Sequence, residues 1–253
     1  MTRTVAVVQA RLGSERLPGK VLLPLGDRTV LDWVLHRLGR ATLVDEVMVA
    51  TSDQPDDDPL AAHVEAAGVA VYRGDLHDVL ARFRGAALGR AATTVVRVTA
   101  DCPLLDPDVV DAVLQAHRET GADFTANRLP PPHHRTWPIG LDVEVATMAA
   151  LRRADDEATA QAHREHVMPY LYAGPEELVV HVVECPAGDH GQVRWTIDTP
   201  ADLAAVRGLV ARPDVDVDTP WPRLLAEWHA DPGLAALNAQ VAQRSAADVD
   251  DRR

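Results

Sequence analysis

TVAVVQARLGSERLPGK, residues 4–20, decides how the rest of the chain is read. Its first part, Thr4 to Gln9, is a short apolar run rich in valine, which predicts a buried strand. The run breaks into a polar loop where Arg11, Arg16 and Lys20 are interleaved with Gly13, Gly19 and the hydroxyl of Ser14. Glycine lets backbone N–H groups approach an anion closely, and successive N–H groups form an anion-binding nest. An arginine fork grips two phosphate oxygens, and a lysine places a point charge between phosphates. The segment therefore reads as a site for a phosphate chain; a solvated loop with scattered charge is the alternative. Of 25 basic residues, Lys20 is the only lysine. Either it is kept where a planar fork would not fit, or its place is chance. A P-loop is excluded by spacing: five residues, not four, separate Gly13 from Gly19, and Lys20 is followed by Val21 rather than Ser or Thr. No dinucleotide fingerprint is present.

Outward from this loop the chain alternates strand and helix. Thr29 to Leu38 has helical spacing of Leu31, Val34, Leu35 and Leu38, and Asp45 to Thr51 reads as strand two. A helix over Pro59–Ala67, a strand over Val69–Tyr72, a helix over His77–Leu88 and a strand over Thr94–Thr99 follow. Pro107 opens the next helix behind Asp106 as N-cap, and Asp123–Ala126 reads as a fifth strand. Such alternation predicts an α/β fold: a Rossmann-like, mostly parallel sheet with helices on both faces. Ligands then sit outside the carboxyl ends of the strands. That rule selects Ala10–Lys20, Ser52 and Asp53, Arg73 and Gly74, and Ala100 and Asp101.

The regularity breaks at LPPPHHRTWP (129–138), after which IGLDVEV (139–145) alternates like a half-buried strand. Residues 128–146 are read as an inserted arm extending from the main domain. Helices are expected near Met148–Arg153 and Glu157–Leu171, strands over Leu178–Cys185 and Gln192–Ile197, and a helix from Thr199 as N-cap to about Val210. The division is thus a main domain over 1–212 and an irregular or helical C-terminal extension over 213–253, whose end, SAADVDDRR, is expected to fray.

Aromatic residues are 4% of the chain against 47% hydrophobic, so an aliphatic core is expected. A net charge of −13 argues against non-specific binding to nucleic acid or anionic membrane, while leaving room for a small anion at a local basic cluster. Cys102 and Cys185 form no CxxC pattern, so neither a disulfide nor a zinc framework is indicated. There is no basic N-terminal region ahead of an apolar run and no long apolar stretch, and the expectation is a soluble cytoplasmic protein.

Two carboxylates stand out. Asp101 follows strand four directly, and Asp198 closes the run RWTID. Mg²⁺ is held by a few carboxylates plus water and neutralises phosphate oxygens. The competing roles are a helix cap for Asp198 and a turn before Pro103 for Asp101. Asp56-Asp57-Asp58 and Asp214/Asp216/Asp218 lie in proline-rich turns and are read as solvated loops. His133-His134 and His163/His166 do not complete a zinc spacing.

QARLGSERLPGKVL (9–22) resembles the signature loop of the CMP-sugar synthetases, the cytidylyltransferases for 3-deoxy-manno-octulosonate and acylneuraminate. The whole chain is similar to the branch of that family named after the spore coat polysaccharide protein SpsF. VATSD (49–53), YRGDLHDVLARF (72–83), VVRVTADCPLLDP (95–107), PIGLDVEV (138–145), REHVMPYLY (164–172) and RWTIDTPADL (194–203) carry the likeness in order. It implies a nucleotide-diphospho-sugar transferase fold with a mixed sheet and a protruding β arm. It also implies transfer of CMP from CTP to a sugar acid or similar small acceptor, with Mg²⁺ on Asp101 and Asp198. Lys20, Arg11 and Asp101 become catalytic residues; Gln9, Ala10, Gly13, Ser14, Arg16, Ser52, Arg73 and Thr99 join the basic residues around the nucleotide. Asn127, Gly140, Asp142, Glu144, Arg164, Glu165 and His166 face the acceptor or a partner subunit, with a homodimer through the arm. Asp142 and Glu144 read without the family as an ordinary strand edge. Glu15 departs from the family's pattern, where Thr is expected, and puts an acid beside the triphosphate. It either points to solvent or pairs with Arg16. A nucleotidyltransferase or glycosyltransferase for another nucleotide, and a non-catalytic scaffold, remain the alternatives.

Overall fold

The structure, a computed structural model, describes residues 2–242. In chain order it runs β1 (Thr4–Gln9), a short ribbon of β2 (Pro24–Leu25) and β3 (Arg28–Thr29), α1 (Val30–Leu38), β4 (Glu46–Ser52), α2 (Asp58–Ala66), β5 (Ala70–Gly74), α3 (Val79–Leu88), β6 (Thr94–Thr99) and α4 (Pro107–Thr120). β7 (Phe124–Ala126), β8 (Glu144–Thr147), α5 (Met148–Glu157), α6 (Gln161–His166), α7 (Pro169–Ala173), β9 (Val180–Val182), α8 (Pro200–Val210), α9 (Trp221–Ala230) and α10 (Pro232–Asn238) complete it. The main sheet has seven strands in the order β5-β4-β1-β6-β8-β7-β9. β1 pairs in parallel with β4 and β6, and β4 with β5. β8 runs antiparallel to both β6 and β7, so the sheet is mixed but mainly parallel.

β1 shows why these residues form a central strand. Val5 and Val7 enter the core layer with α3, α5 and α7, while Ala6 and Val8 enter the layer with α1, α4 and α8. A strand buried on both faces has no polar side to present, which is why it reads as a continuous apolar run. The core is mainly aliphatic, as composition implies. The tryptophans gather on one side: Trp137 meets Trp221 at 5.4 Å with the rings tilted by 59°, and Trp195 meets Trp228 edge-on at 6.3 Å. The predicted N-caps hold. Asp106 accepts from Asp108 N, and Thr199 forms a capping box with Asp202.

Four expectations change. The 128–146 segment does not extend as an arm over its length: Glu144–Thr147 is strand β8 inside the main sheet, Trp137, Leu141 and Val143 are buried, and only residues 131–134 stand exposed at its tip. Its alternation arises because Leu141, Val143 and Val145 face the core layer with α1, α4 and α8, while Asp142 and Glu144 face away from it. The helix expected over Glu157–Leu171 is two short helices, parted at Val167 (φ +71°) just before Pro169 opens α7. Gln192–Ile197 forms only a bridge, Ile139 to Arg194, rather than a strand. The C-terminal part is integral to the domain: Trp221, Leu224 and Trp228 are buried, and the buried Arg37 donates to the carbonyls of Val217 at 2.8 Å and Thr219 at 2.9 Å. The expected fraying of SAADVDDRR falls on residues outside those described.

Candidate active site

The carboxyl ends of β1 and β6 open into a cleft of about 590 Å³. The loop after β1 forms one wall and is closed on itself by Gly19 N donating to Leu12 O at 2.9 Å. Gly19 sits at φ +68°, a backbone conformation that favours glycine, and this turns Lys20 inward. Behind the loop, buried Asp57 accepts from Leu12 N at 2.7 Å and from the Ser52 hydroxyl. The Asp56–Asp58 run is therefore not wholly solvated: Asp57 is the anchor that holds the loop's back.

Lys20 is the centre of the site. Its Nζ donates to Asp101 Oδ2 at 2.6 Å and to Asp198 Oδ1 at 2.9 Å. Two carboxylates far apart in sequence thus converge on one cation. Burial works against the Lys20 charge, but Asp101 and Asp198 outweigh it and hold its pKa above the ordinary value. Burial likewise opposes ionisation of Asp101, and Lys20 overcomes it, so Asp101 stays below the usual carboxylate range. Asp198 also takes Arg16 Nη2 at 3.1 Å and Arg194 Nη2 at 2.8 Å on Oδ2. It does not cap α8, since Thr199 does that. The turn after β6 is closed by Cys102 N donating to Thr99 O at 3.3 Å, and Cys102 Sγ reaches Asp101 Oδ1 at 3.6 Å.

A family model described as Cytidylyltransferase matches residues 5–212. The chain belongs to the cytidylyltransferase family. Members of that family are nucleotidyltransferases, and the chain is one. It is 34% identical over 225 residues to the spore coat polysaccharide biosynthesis protein SpsF of Bacillus subtilis (strain 168), covering 85% of this chain and 91% of that one. It superposes on the structure of a cytidylyltransferase from Leptospira borgpetersenii with a TM-score of 0.86, at 28% identity over 96% of this chain and 100% of the other. A CMP:2-keto-3-deoxy-manno-octonic acid synthetase complexed with CTP shares the fold at a TM-score of 0.64 and 21% identity, over 83% of this chain and 99% of that one.

In this cytidylyltransferase the cleft brings together most of the expected site residues. Gln9, Ala10, Arg11, Ser14, Arg16, Lys20, Thr99, Asp101 and Asp198 line one part of it, and Asp142, Glu144, Glu165 and His166 another. Glu15 is exposed and lines the rim. The rest lie elsewhere. Ser52 is spent on Asp57, and Arg73 is paired with Asp58 at 2.6 Å and donates to Ser52 O. Arg164 ties Asp78 at the start of α3 to Asp155 of α5. Asn127 is buried and clamps the entry to β8, donating to Leu141 O at 2.7 Å and accepting from Val143 N at 2.9 Å. Gly13 is in the loop but not in the cleft lining. Gly140 (φ +108°) allows close packing instead: a Cβ there would lie 2.8 Å from Thr196 N and 2.9 Å from Trp195 C.

The cleft also holds arginines that sequence reading passed over. Arg97 donates to Gln9 Oε1 at 2.9 Å and pairs with Glu144. Arg135 grips both oxygens of Asp142, at 2.6 and 3.1 Å, and Arg128 approaches the same carboxylate at 3.8 Å. Burial opposes the charge of Asp142, but Arg135 and Arg128 keep its pKa low; burial also opposes Arg128, and Asp142 and Glu144 keep its pKa high. A signal for Arg97 was present, because TVVRVT places one charge inside an otherwise apolar buried strand. Arg128 and Arg135 carried none, since both sit in the irregular segment. Among the described residues no group of three or more His, Cys, Asp or Glu side chains is placed to hold a metal, and no helix is long and apolar enough to cross a membrane.

Proposed function

We propose that this cytidylyltransferase transfers CMP from CTP to a hydroxyl of a small sugar acid, of the 2-keto-3-deoxy or nonulosonic type, and releases pyrophosphate. The observation that carries the reading is the Lys20 ammonium reaching both Asp101 and Asp198 beneath the loop. A single cation already reaches both carboxylates, so the pair fits a divalent ion whose remaining ligands are phosphate oxygens and water, the habit of Mg²⁺. Asp101 and Asp198 would hold that ion, which supplies charge neutralisation at the phosphates. Lys20, Arg16 and Arg11 face the same space. A triphosphate laid along the loop draws the Lys20 ammonium to its own oxygens, and the three cations then stabilise the charge that grows on the leaving pyrophosphate. Such catalysis rests on positioning and electrostatics.

The acceptor assignment rests on the second half of the cleft. Three guanidiniums, Arg97, Arg128 and Arg135, face two carboxylates, Asp142 and Glu144. Arg128, at 3.8 Å from Asp142, is the guanidinium held least tightly by these acids and suits the carboxylate of an acceptor, while Asp142, Glu144 and Glu165 suit sugar hydroxyls. SpsF is described by its role in spore coat polysaccharide biosynthesis, and a glycan or related metabolite is the destination proposed for this product too. The expected homodimer belongs to the same reading, with the exposed tip at residues 131–134 as the surface offered for it; sedimentation velocity measures it. The function is tested by following pyrophosphate release with each of the four ribonucleoside triphosphates against a panel of sugar acids. Release with CTP, dependent on a carboxylate-bearing acceptor and on Mg²⁺, is expected. Equal use of UTP or ATP, or a preference for uncharged sugars, contradicts it.

A further inference from the structure

Asp198 reaches the cleft from the end of the 193–197 segment, which is held on both sides. Ile197 N donates to Asp101 O at 2.8 Å, and Trp195 N donates to Ile139 O at 2.7 Å. The backbone is fixed by these bonds, yet the carboxylate could still rotate. Arg16 and Lys20 hold it from the cleft side, and Arg194 holds it from behind: its Nη2 meets Asp198 Oδ2 at 2.8 Å while its Nε meets Asp202 Oδ1 at 2.8 Å. Asp198 Oδ2 is thus committed to guanidiniums, and Oδ1 is the oxygen turned to Lys20 and Asp101.

Arg194 is in turn held by groups that are almost fully buried. Asp202 is 0% exposed and accepts from Asp198 N at 3.1 Å, Thr199 N at 3.0 Å and the Thr199 hydroxyl at 2.9 Å, all on Oδ2. Its other oxygen, Oδ1, is shared between Arg194 and the side-chain amide of Asn238, which donates to Asp202 Oδ1 at 3.1 Å and to Arg194 O at 3.1 Å. Asn238 is 4% exposed and ends α10, beyond residue 212, where the family match stops. A buried amide that bridges the backbone of Arg194 and its carboxylate partner fixes the guanidinium from behind.

We infer that Asn238 is a positioning residue for the metal carboxylate Asp198, acting through Asp202 and Arg194. The C-terminal helix then contributes to the reacting centre without touching it. The inference rests on the reading of Asp198 as a metal carboxylate. Groups that hold a metal-binding side chain in place change metal affinity by about 10–100-fold when removed.

The test titrates Mn²⁺ alone into the whole protein and follows its EPR signal in wild type, Asn238→Leu, Leu234→Ala and Asp198→Ala. Leu234→Ala is the structural control, since Leu234 packs α10 onto Gly208 of α8 and makes no bond to this chain of polar groups. Asn238→Leu is expected to weaken Mn²⁺ about tenfold and to raise the Mg²⁺ activation constant equally, with the KM for CTP at saturating metal unchanged. Leu234→Ala is expected to lower the melting temperature as much or more and to leave Mn²⁺ affinity as in wild type. Unchanged Mn²⁺ affinity in Asn238→Leu overturns the inference, as does equal weakening in Leu234→Ala. If Asp198→Ala itself leaves Mn²⁺ affinity intact, the metal reading of Asp198 fails as well; if Asp198→Ala abolishes binding and Asn238→Leu does not alter it, only the positioning role fails.

Discussion

Replacing Lys20 by Met leaves a side chain of similar length and removes the ammonium shared by Asp101 and Asp198. Two costs follow, and the structure separates them. Asp198 keeps Arg16 at 3.1 Å and Arg194 at 2.8 Å, so the loss falls chiefly on Asp101. Breaking a fully buried pair costs about 3–5 kcal/mol, and a fully exposed pair about 0–1 kcal/mol. The side chains here are 11% exposed for Lys20 and 21% for Asp101, between those limits. About 2 kcal/mol is therefore expected, or roughly 4–8 °C in melting temperature for a domain of this size. The Asp101 contribution is present above its unfolded value of 3.8 and is lost as pH falls; that of Lys20 is complete below 10.5 and is lost as pH rises. The difference between wild type and variant should thus be flat from about pH 5 to about pH 9. Removing one preorganised charge from a reacting phosphate costs about 10²–10³ in turnover, equivalent to about 3–4 kcal/mol. Circular dichroism melts and pyrophosphate release from CTP measure the two quantities. Lys20→Arg should recover only part of the stability and little turnover, because the bulkier planar fork does not take the ammonium's place between the two carboxylates. Turnover of Lys20→Met within threefold of wild type would show that Lys20 does not stabilise the leaving pyrophosphate.

Gly140→Ala should destabilise by about 2–4 kcal/mol in urea denaturation, because it adds a Cβ at φ +108° and drives it against the Thr196 backbone. Deleting residues 213–253 should abolish cooperative unfolding in calorimetry, since Trp221 and Leu224 are core residues and Trp221 N donates to Asp106. His117 is buried against the Thr125 hydroxyl at 3.0 Å, and burial holds its pKa below the ordinary 6.5. Its contribution is present above pH 6.5 and lost as pH falls, so His117→Gln should flatten the fall in melting temperature below that pH. Arg97→Met frees Gln9 and Glu144 together, and should raise the KM for a sugar-acid acceptor about tenfold or more while changing that for CTP less, by steady-state kinetics.

The parallel half of the fold was legible because its inner strands β1, β4 and β6 are largely buried on both faces, and a continuous apolar run such as TVAVVQ has few other uses. The phosphate loop was legible because its glycines and cations are contiguous. β8 was harder to place. Its alternation is the same whether the strand lies at an edge or is paired on both sides, and the proline run before it suggested departure from the domain. The helices at residues 221–238 hide among prolines, and what docks them is Arg37, a residue nearly two hundred positions earlier. Within the site, Asp101 and Asp198 were legible as carboxylates at segment ends, but their convergence on Lys20 is tertiary. Arg73 looked like a ligand group because it stands at a strand's carboxyl end, and Arg164 because REHVMPYLY (164–172) resembles the family, yet each already has an acidic partner in the fold. Arg128 and Arg135 lie in a stretch without periodicity, where no pattern tells an inward residue from an outward one.

The most direct measurement is ³¹P NMR of CTP, Mg²⁺ and a 2-keto-3-deoxy sugar acid incubated with the protein. A phosphodiester resonance growing together with pyrophosphate, in equal amounts, is expected, and none with Asp101→Asn. Inorganic phosphate as the only new signal, or a phosphodiester still formed at the wild-type rate by Asp101→Asn, contradicts it.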